Sequence, residues 1–232
     1  MDGLLLVDKP SDWTSMDVCA HLRGVLHERH IGHTGTLDPN ATGLLVVLTG
    51  KGTKAAKYLE NDTKEYVARL RLGLRTDTQD IWGTHLTEST VSVSREDLEA
   101  VLPRFRGPIL QMPPMYSAIK RHGQKLYEIA RRGGEVEREP RPITIHRLEL
   151  LAPDESGDWV LSVTCSKGTY IRTLCADIGD TLGCGGCMSA LRRVRCGDFT
   201  IDEAHTLEEI RSAPEAYILP LDHVRPEVNA SE

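Results

Sequence analysis

One carboxylate stands out because of the residues that surround it. Asp38 lies in the segment 32–43 (GHTGTLDPNATG), which is rich in glycine and threonine and leads into the apolar run 44–48. Asp-Pro-Asn is a common turn sequence, in which the carboxylate bonds to nearby backbone groups. Glycines also let a ligand approach the backbone closely, so the same loop suits a carboxylate held at the edge of a cleft. The local pattern leaves a structural turn and a catalytic carboxylate both open.

A second segment with chemical potential is 165–172 (CSKGTYIR). It predicts a strand that ends in a turn at Gly168, followed by a helix that begins near Tyr170. An arginine in the first turn of a helix opposes the helix dipole. Arg172 is therefore either a surface residue or a side chain that points into a site and pairs with a carboxylate.

The cysteine and histidine patterns do not indicate a metal site. Cys184 and Cys187 form a single Cys-x-x-Cys pair, whereas structural zinc sites usually combine two such pairs. The nine histidines include no His-Glu-x-x-His motif, and residues 50–53 (GKGT) lack the glycine spacing of a phosphate-binding loop. These patterns therefore indicate neither a catalytic metal nor a nucleotide-binding site.

The elements that must position these residues follow one another without a regular period. Strands are predicted at 3–7, 44–48, 64–73, 143–150, 159–165 and 191–195, and helices after Thr14 or Ser15, at 51–60, 94–104, 124–132 and 170–182, and after Thr206. Residues 76–80 are predicted as a polar loop and residues 108–115 as a proline-rich connector. Because no βαβ period is present, we expect an α+β fold with a mixed sheet.

Composition excludes several classes of protein. The chain has 232 residues, of which 40% are apolar and 27% charged, enough for one large domain or two small ones. The aliphatic run 4–7 is too short for a membrane span or a signal peptide. Six cysteines are too few for a disulfide scaffold. We expect a cytoplasmic protein with reduced thiols and no membrane partner.

Charge is distributed unevenly around a net value of −6. Residues 198–232 hold nine acidic and two basic residues and contribute −7, so the remaining 197 residues carry +1. Residues 116–141 hold seven bases against four acids, and residues 191–195 hold three arginines. These clusters are either solvated helical faces or local basic patches for a polyanion such as RNA.

Several motifs occur together in the order and at the spacing of one known family. They are residues 8–17, 32–43, 64–66, 75–80, 113–118, 165–172 and 191–193. Over roughly residues 3–224 the chain resembles the TruB family of bacterial-type tRNA pseudouridine-55 synthases. The resemblance implies the pseudouridine synthase fold, with a mixed, mostly antiparallel sheet flanked by helices, and it implies chemistry without cofactor or metal.

The resemblance implies an isomerase that converts the T-loop uridine at position 55 of tRNA to pseudouridine. The N1–C1′ bond breaks, the base rotates, and C5 joins the sugar. Without a metal, this cleavage needs a nucleophile or a charge stabiliser. The family assigns that role to Asp38, and attack at C1′, attack at C6 and assisted glycal formation all stay open. Arg172 would pair with Asp38 and keep it ionised, with Tyr170 holding Arg172 or the flipped nucleotide.

The remaining site residues are assigned to substrate binding by the same resemblance. Tyr66 would stack on the uracil and could act as a base at C2′, and Leu191 would line the pocket. The target base must flip out of the folded loop to be reached. His33 would fill the space that the base leaves, although an ordinary capping histidine is the alternative.

The expected domain organisation is one catalytic domain over residues 1–224. It contains an inserted segment at about 111–141 that clamps the T-arm of tRNA, whose basic excess suits phosphate contacts and which we expect to be mobile without RNA. A short acidic tail follows at 225–232, where the family usually continues into a PUA-type domain. We expect a monomer. Cys187 stands where the family usually has histidine, which should affect packing rather than catalysis.

Three other interpretations remain at this stage. An RNA-folding chaperone would bind and open the tRNA elbow without chemistry, but the joint presence of Asp38, Tyr66 and Arg172 favours an enzyme. A guide-RNA-dependent pseudouridine synthase would normally carry a PUA domain, which is not part of the domain organisation expected here. A zinc-binding module has only the single Cys-x-x-Cys pair in its favour.

Overall fold

A computed structural model of the chain describes residues 2–59, 63–117, 119–121, 124–130, 132–134 and 136–221. The strands are β1 (Gly3–Lys9), β2 (Ile31–His33), β3 (Thr42–Thr49), β4 (Lys64–Leu72), β5 (Leu74–Thr76), β6 (His85–Glu88), β7 (Gly107–Gln111), β8 (Lys120–Arg121), β9 (Gln124–Lys125), β10 (Arg141–Leu150), β11 (Trp159–Cys165), β12 (Gly186–Cys196) and β13 (Phe199–Thr200). The α-helices are α1 (Ser15–Leu26), α2 (Ala56–Leu59), α3 (Arg95–Val101), α4 (Leu126–Ala130), α5 (Ile171–Thr181) and α6 (Leu207–Ser212).

The chain divides into two compact units. Unit 1 comprises residues 1–66 and 191–232, and unit 2 comprises residues 67–190. The two boundaries fall inside β4 and β12, so each of these strands has residues in both units. Of the sequence-predicted site residues, unit 1 carries His33, Asp38, Tyr66 and Leu191, whereas unit 2 carries Tyr170 and Arg172.

Unit 1 is built around β3. Strands β1 and β2 pair with β3 in antiparallel orientation, and β12 pairs with the start of β3 in parallel. Alternate side chains of β1 and β3 enter two apolar clusters, one that includes Leu5 and Val47 together with α1, and one that includes Leu4 and Val46. Because both faces are buried, these strands read as continuous apolar runs in the sequence.

Helix α1 begins as the sequence predicts. The Thr14 side chain accepts a hydrogen bond from the Asp17 amide, and the Asp17 carboxylate accepts one from the Thr14 amide at 2.9 Å, which is a capping box. Val18, Leu22 and Leu26 then bury the apolar face of the helix against β1 and β3. This fixes the first turn of α1, which holds the loop of Asp38 in place.

Unit 2 is also mostly antiparallel. Strand β10 pairs antiparallel with β11 on one side and with β7 on the other, and β5 pairs antiparallel with β6. Helix α3 begins at a second capping box, between Ser94 and Asp97, and α5 begins after Tyr170. The predicted α+β class with a mixed, mostly antiparallel sheet is confirmed.

Four local predictions need correction. Residues 108–115 are not only a connector, because β7 occupies Gly107–Gln111; a strand that needs no amide from Pro108 tolerates proline. Residues 124–132 begin as β9 before α4 forms, and residues 51–60 form a 3₁₀ turn, Gly50–Ala55, before α2. Strand β12 starts at Gly186, five residues before its predicted start at residue 191, because Gly185 has a positive φ of 76° and turns the chain directly into it.

Two further findings concern helices and termini. None of the helices among the described residues is long and apolar enough to cross a membrane. The tail expected at 225–232 lies outside the described residues.

Candidate active site

The loop that carries Asp38 is attached to the first turn of α1. The Ser15 hydroxyl accepts a hydrogen bond from the Leu37 amide at 2.9 Å and donates one to the Leu37 carbonyl at 3.2 Å, and both side chains are buried. The Ala41 amide donates to the Asp38 carbonyl at 3.0 Å, so the Asp-Pro-Asn sequence does form a turn. The Asp38 side chain is half-buried on this anchored turn.

A buried lysine supports the same loop. The Lys9 side chain is fully buried, and its ammonium group donates to the carbonyls of Pro10 at 2.8 Å, Trp13 at 2.5 Å and Pro39 at 3.0 Å. Burial lowers the pKa of Lys9 to about 8, and the carboxylates of Asp12 and Asp38 partly oppose that shift. Lys9 therefore binds the residue that follows Asp38 and places a positive charge near its carboxylate.

A buried arginine connects the two ends of the loop. Arg193 is 1% exposed; its Nε donates to the Leu44 carbonyl at 2.7 Å and its Nη2 donates to the Gly35 carbonyl at 3.2 Å. Gly43 has a φ of 99°, and a Cβ there would lie 2.3 Å from the Arg193 carbonyl oxygen. Glycine is therefore required at residue 43 for β3 to pair with Arg193. Arg193 and Lys9 are not among the sequence-predicted site residues. Lys9 lies beyond the predicted strand 3–7, and Arg193 is one of three arginines in residues 191–195, so no local signal marks either residue as buried.

The other unit 1 candidates lie on strands. His33 is half-buried at the end of β2, and its Nδ1 is buried without a hydrogen-bond partner among the described residues. Burial and the charge of Arg193 lower the pKa of His33, so the ring is neutral at pH 7. Tyr66 is half-buried on β4, and Leu191 is buried on β12.

Unit 2 holds Arg172 in a polar setting. The side chain is 5% exposed; its Nη1 donates to the Thr78 carbonyl at 3.0 Å and its Nη2 donates to the Tyr116 carbonyl at 2.8 Å. Its Nε lies 4.0 Å from Oδ2 of Asp80. Of the two alternatives for Arg172, the surface residue is wrong. The structure places a carboxylate, Asp80, beside it.

Asp80 is a candidate that the sequence analysis missed. Its Oδ1 accepts hydrogen bonds from the Thr78 hydroxyl at 2.7 Å and the Trp82 amide at 3.1 Å. Its own backbone carbonyl accepts from the Thr76 hydroxyl at 2.6 Å. These contacts aim the second carboxylate oxygen at Arg172. The signal available in the sequence was that Asp80 ends the motif at residues 75–80.

The turn around Asp80 is fixed to two neighbouring elements. Gln79 has a positive φ of 65°, and its side-chain oxygen accepts from the Thr173 hydroxyl of α5 at 2.7 Å. The Met188 amide of β12 donates to the Gln79 carbonyl at 2.9 Å, and the Ile81 amide donates to the Met188 carbonyl at 3.0 Å. Both α5 and β12 thus hold this turn beside Arg172.

Tyr170 precedes the first residue of α5 and is half-buried. Its amide donates to Oε1 of Gln111 at 2.8 Å, and its carbonyl accepts from Nε2 of Gln111 at 3.0 Å. The backbone of Tyr170 is therefore held by a side chain that lies 59 residues earlier in the chain.

The six cysteines are free and buried. Cys187 is fully buried on β12, and burial raises its pKa to about 11. Burial also raises the pKa of Cys175. Within the described part of the chain, no group of three or more His, Cys, Asp or Glu side chains is arranged to hold a metal ion.

Two family models match the sequence. The model described as TruB family pseudouridylate synthase (N terminal domain) matches residues 23–171. The model described as tRNA pseudouridylate synthase B C-terminal domain matches residues 172–224. Together the two matches span residues 23–224, which include all of the sequence-predicted site residues.

The chain is also similar to proteins named tRNA pseudouridine synthase B. The protein of Azoarcus sp. (strain BH72) is 52% identical over 217 residues, which cover 93% of this chain and 72% of that relative. The protein of Chromobacterium violaceum is 49% identical over 226 residues, which cover 96% of this chain and 74% of that relative.

Solved structures share the fold. A crystal structure of a Cbf5–Nop10–Gar1 complex matches with a TM-score of 0.72 and 31% identity, over 90% of this chain and 54% of the matched chain. An H/ACA RNP bound to a substrate RNA that contains 2′-deoxyuridine matches with a TM-score of 0.72 and 27% identity, over 96% of this chain and 60% of the matched chain. This chain thus spans little more than half of the matched structures.

Proposed function

The chain belongs to the TruB family of pseudouridylate synthases, and we infer that it is an isomerase that converts a uridine of tRNA to pseudouridine. Relatives that cover more than nine tenths of this chain carry the corresponding name, and the matched structures support the pseudouridine synthase fold expected from the sequence motifs. The observation that carries the chemistry is the turn of Asp38, which Ser15, Lys9 and Arg193 hold in place.

We assign the role of nucleophile to Asp38. Cleavage of the N1–C1′ bond without a metal needs a carboxylate that is ionised and aimed. Lys9 places a positive charge near the Asp38 carboxylate, and the anchored turn limits the orientations that the carboxylate samples. Attack at C1′, attack at C6 and removal of the C2′ proton are all compatible with one such group.

We propose that Arg172 pairs with the carboxylate of Asp38 and that Asp80 positions Arg172. The carbonyls of Thr78 and Tyr116 and the nearby carboxylate of Asp80 orient the guanidinium group before substrate arrives. The pairing of Arg172 with Asp38 that the family resemblance implies stays a prediction, since the two residues belong to different units.

Substrate binding is proposed for His33, Tyr66, Tyr170 and Leu191. A neutral His33 ring can fill the space that a flipped base leaves without burying a charge. The Tyr66 ring can stack on uracil, and Leu191 offers a buried apolar surface. The backbone of Tyr170 is held by Gln111, and we propose that its ring contacts the nucleotide or Arg172.

The finer features of the substrate are also part of the proposal. We propose that the target is the T-loop uridine at position 55, that residues 111–141 clamp the T-arm, and that the protein acts as a cytoplasmic monomer without a metal. Arg138 and Arg141 lie in the described part of this segment, and their charge suits phosphate contacts. Residues 118, 122, 123, 131 and 135 of the segment lie outside the described residues.

The experiment is pseudouridine mapping in three RNAs. An unmodified tRNA transcript, the same transcript with the T-loop uridine changed to cytidine, and an isolated T-arm hairpin are incubated with the protein, and pseudouridine is located by a chemical adduct specific to it. We expect product at the T-loop uridine in the first and third RNAs and none in the second. Product at another uridine would contradict the assigned position, and tight binding without product would favour the chaperone.

A further inference from the structure

Gln111 stands at the point where the proposed RNA clamp begins. It is the last residue of β7, and its register partner in β10 is Arg141, so the first and last residues of the segment 111–141 face each other. The Gln111 side chain does not point to solvent, because the residue is only 2% exposed.

The buried carboxamide of Gln111 both donates to and accepts from one backbone position. Its Oε1 accepts from the Tyr170 amide at 2.8 Å, and its Nε2 donates to the Tyr170 carbonyl at 3.0 Å. This double contact imitates the pairing of a neighbouring strand. Helix α5 has no side-chain cap at Tyr170, so the contact with Gln111 restrains the residue from which the helix starts without capping its first amides.

A second contact joins the same two stretches of chain. Five residues after Gln111, the Tyr116 carbonyl accepts a hydrogen bond from Nη2 of Arg172 at 2.8 Å. The start of the segment 111–141 therefore contacts the backbone of Tyr170, through the Gln111 side chain, and the side chain of Arg172, through the Tyr116 carbonyl. If residues 111–116 move relative to residues 170–172, these hydrogen bonds break. Such a break leaves buried polar groups without partners, which is unfavourable, so the two stretches should move together.

We propose that Gln111 is a positioning residue for the isomerisation: its carboxamide fixes Tyr170 and the first turn of α5, and so holds Arg172 in the orientation that the reaction needs. This role rests on the proposed function. Gln111 is uncharged and buried, so its loss should slow the chemical step and leave RNA affinity almost unchanged.

The test separates chemistry from binding. Gln111→Met keeps the length of the side chain and removes both hydrogen bonds, whereas Gln111→Glu keeps the acceptor for the Tyr170 amide and removes the donor to the Tyr170 carbonyl. Single-turnover rates at saturating T-arm hairpin and the hairpin Kd are measured separately. We expect each variant to react at least tenfold more slowly than wild type, with Kd within threefold. If Gln111→Met does not fold, Gln111→Glu decides the same question.

Leu98→Ala is the matched control for stability. Leu98 is fully buried on α3 in the same unit, so its truncation destabilises unit 2, and it takes no part in the hydrogen bonds described above for Tyr170 and Arg172. It should react at the wild-type rate below its melting temperature. A wild-type rate for the Gln111 variants, an equal loss in Leu98→Ala, or a tenfold weaker Kd with an unchanged rate would each overturn the positioning role. Absence of pseudouridine with wild-type protein would instead overturn the proposed function itself, and this role with it.

Discussion

Asp80→Asn tests whether the carboxylate beside Arg172 contributes charge or only shape. Asparagine can keep an oxygen to accept from the Thr78 hydroxyl and the Trp82 amide, so the turn should persist. What the substitution removes is the negative charge 4.0 Å from Nε of Arg172. The side chains of Asp80 and Arg172 are 15% and 6% exposed, respectively, so solvent screens the interaction between their charges weakly.

The size of the effect follows from Coulomb's law. Two unit charges at that separation interact with about 4 kcal/mol at an effective dielectric constant near 20. Arg172 keeps its bonds to the Thr78 and Tyr116 carbonyls in the variant, so only part of this energy should reach the transition state. We expect a loss of about 1–3 kcal/mol, which corresponds to a rate roughly 5-fold to 150-fold lower.

The assay is a single-turnover rate with saturating tRNA, followed by release of the C5 proton of the target uridine. Kd for tRNA should change little. Asp154→Asn is the matched control, because it removes a surface ion pair with Arg69 in the same unit and should leave the rate unchanged. A rate for Asp80→Asn within twofold of wild type would refute the electrostatic role of Asp80.

Three further predictions concern unit 1. The pKa of Lys9 is about 8 in the folded protein, against an ordinary value of 10.5 that applies to the unfolded chain. Between pH 8 and pH 10.5 the unfolded chain therefore binds more protons than the folded protein, so the contribution of Lys9 to the unfolding free energy rises with pH in this range. The unfolding free energy of wild type relative to Lys9→Met should therefore increase by about 2 kcal/mol from pH 8 to pH 10 in denaturant titrations, and a constant difference would contradict the buried charge. His33→Phe should keep wild-type affinity for the T-arm hairpin and His33→Ala should lose about 1–3 kcal/mol of it by fluorescence titration; equal affinities would refute the space-filling role. Gly43→Ala should cost about 2 kcal/mol or more of stability, because its Cβ would meet the Arg193 carbonyl; Gly24→Ala, where a Cβ meets nothing, is the control, and equal stability of the two variants would contradict the close approach.

Features that depend on neighbours in the sequence could be predicted. The capping boxes at Thr14 and Ser94 involve residues three positions apart, so they are visible in the sequence and both helices begin where expected. Buried strands such as β3 can be predicted because their sequences are continuous apolar runs. The unfavourable place of Arg172 at the start of α5 is also a local signal, but by itself it leaves a surface residue and a buried one both open, and the burial of Arg172 beside Asp80 decides between them.

Features that depend on distant contacts could not be predicted from local patterns. Arg172 meets Thr78 across 94 positions of sequence, Gln111 meets Tyr170 across 59, and Arg193 meets Leu44 across 149. No propensity or period encodes which of many polar residues will be joined in this way. For the same reason, β7 was read as a connector, since its pairing with β10 is decided 30 residues later in the chain.

The most direct test of the account is pseudouridine formation by Asp38→Asn. Asn has almost the same size as Asp, so the turn at residues 38–41 should remain, and Asp202→Asn, an exposed change in the same unit, is the control. We predict tRNA Kd within threefold of wild type for both variants, wild-type product yield for Asp202→Asn, and no product at the T-loop uridine for Asp38→Asn. Substantial pseudouridine formation by Asp38→Asn would contradict the assignment of Asp38 as the nucleophile.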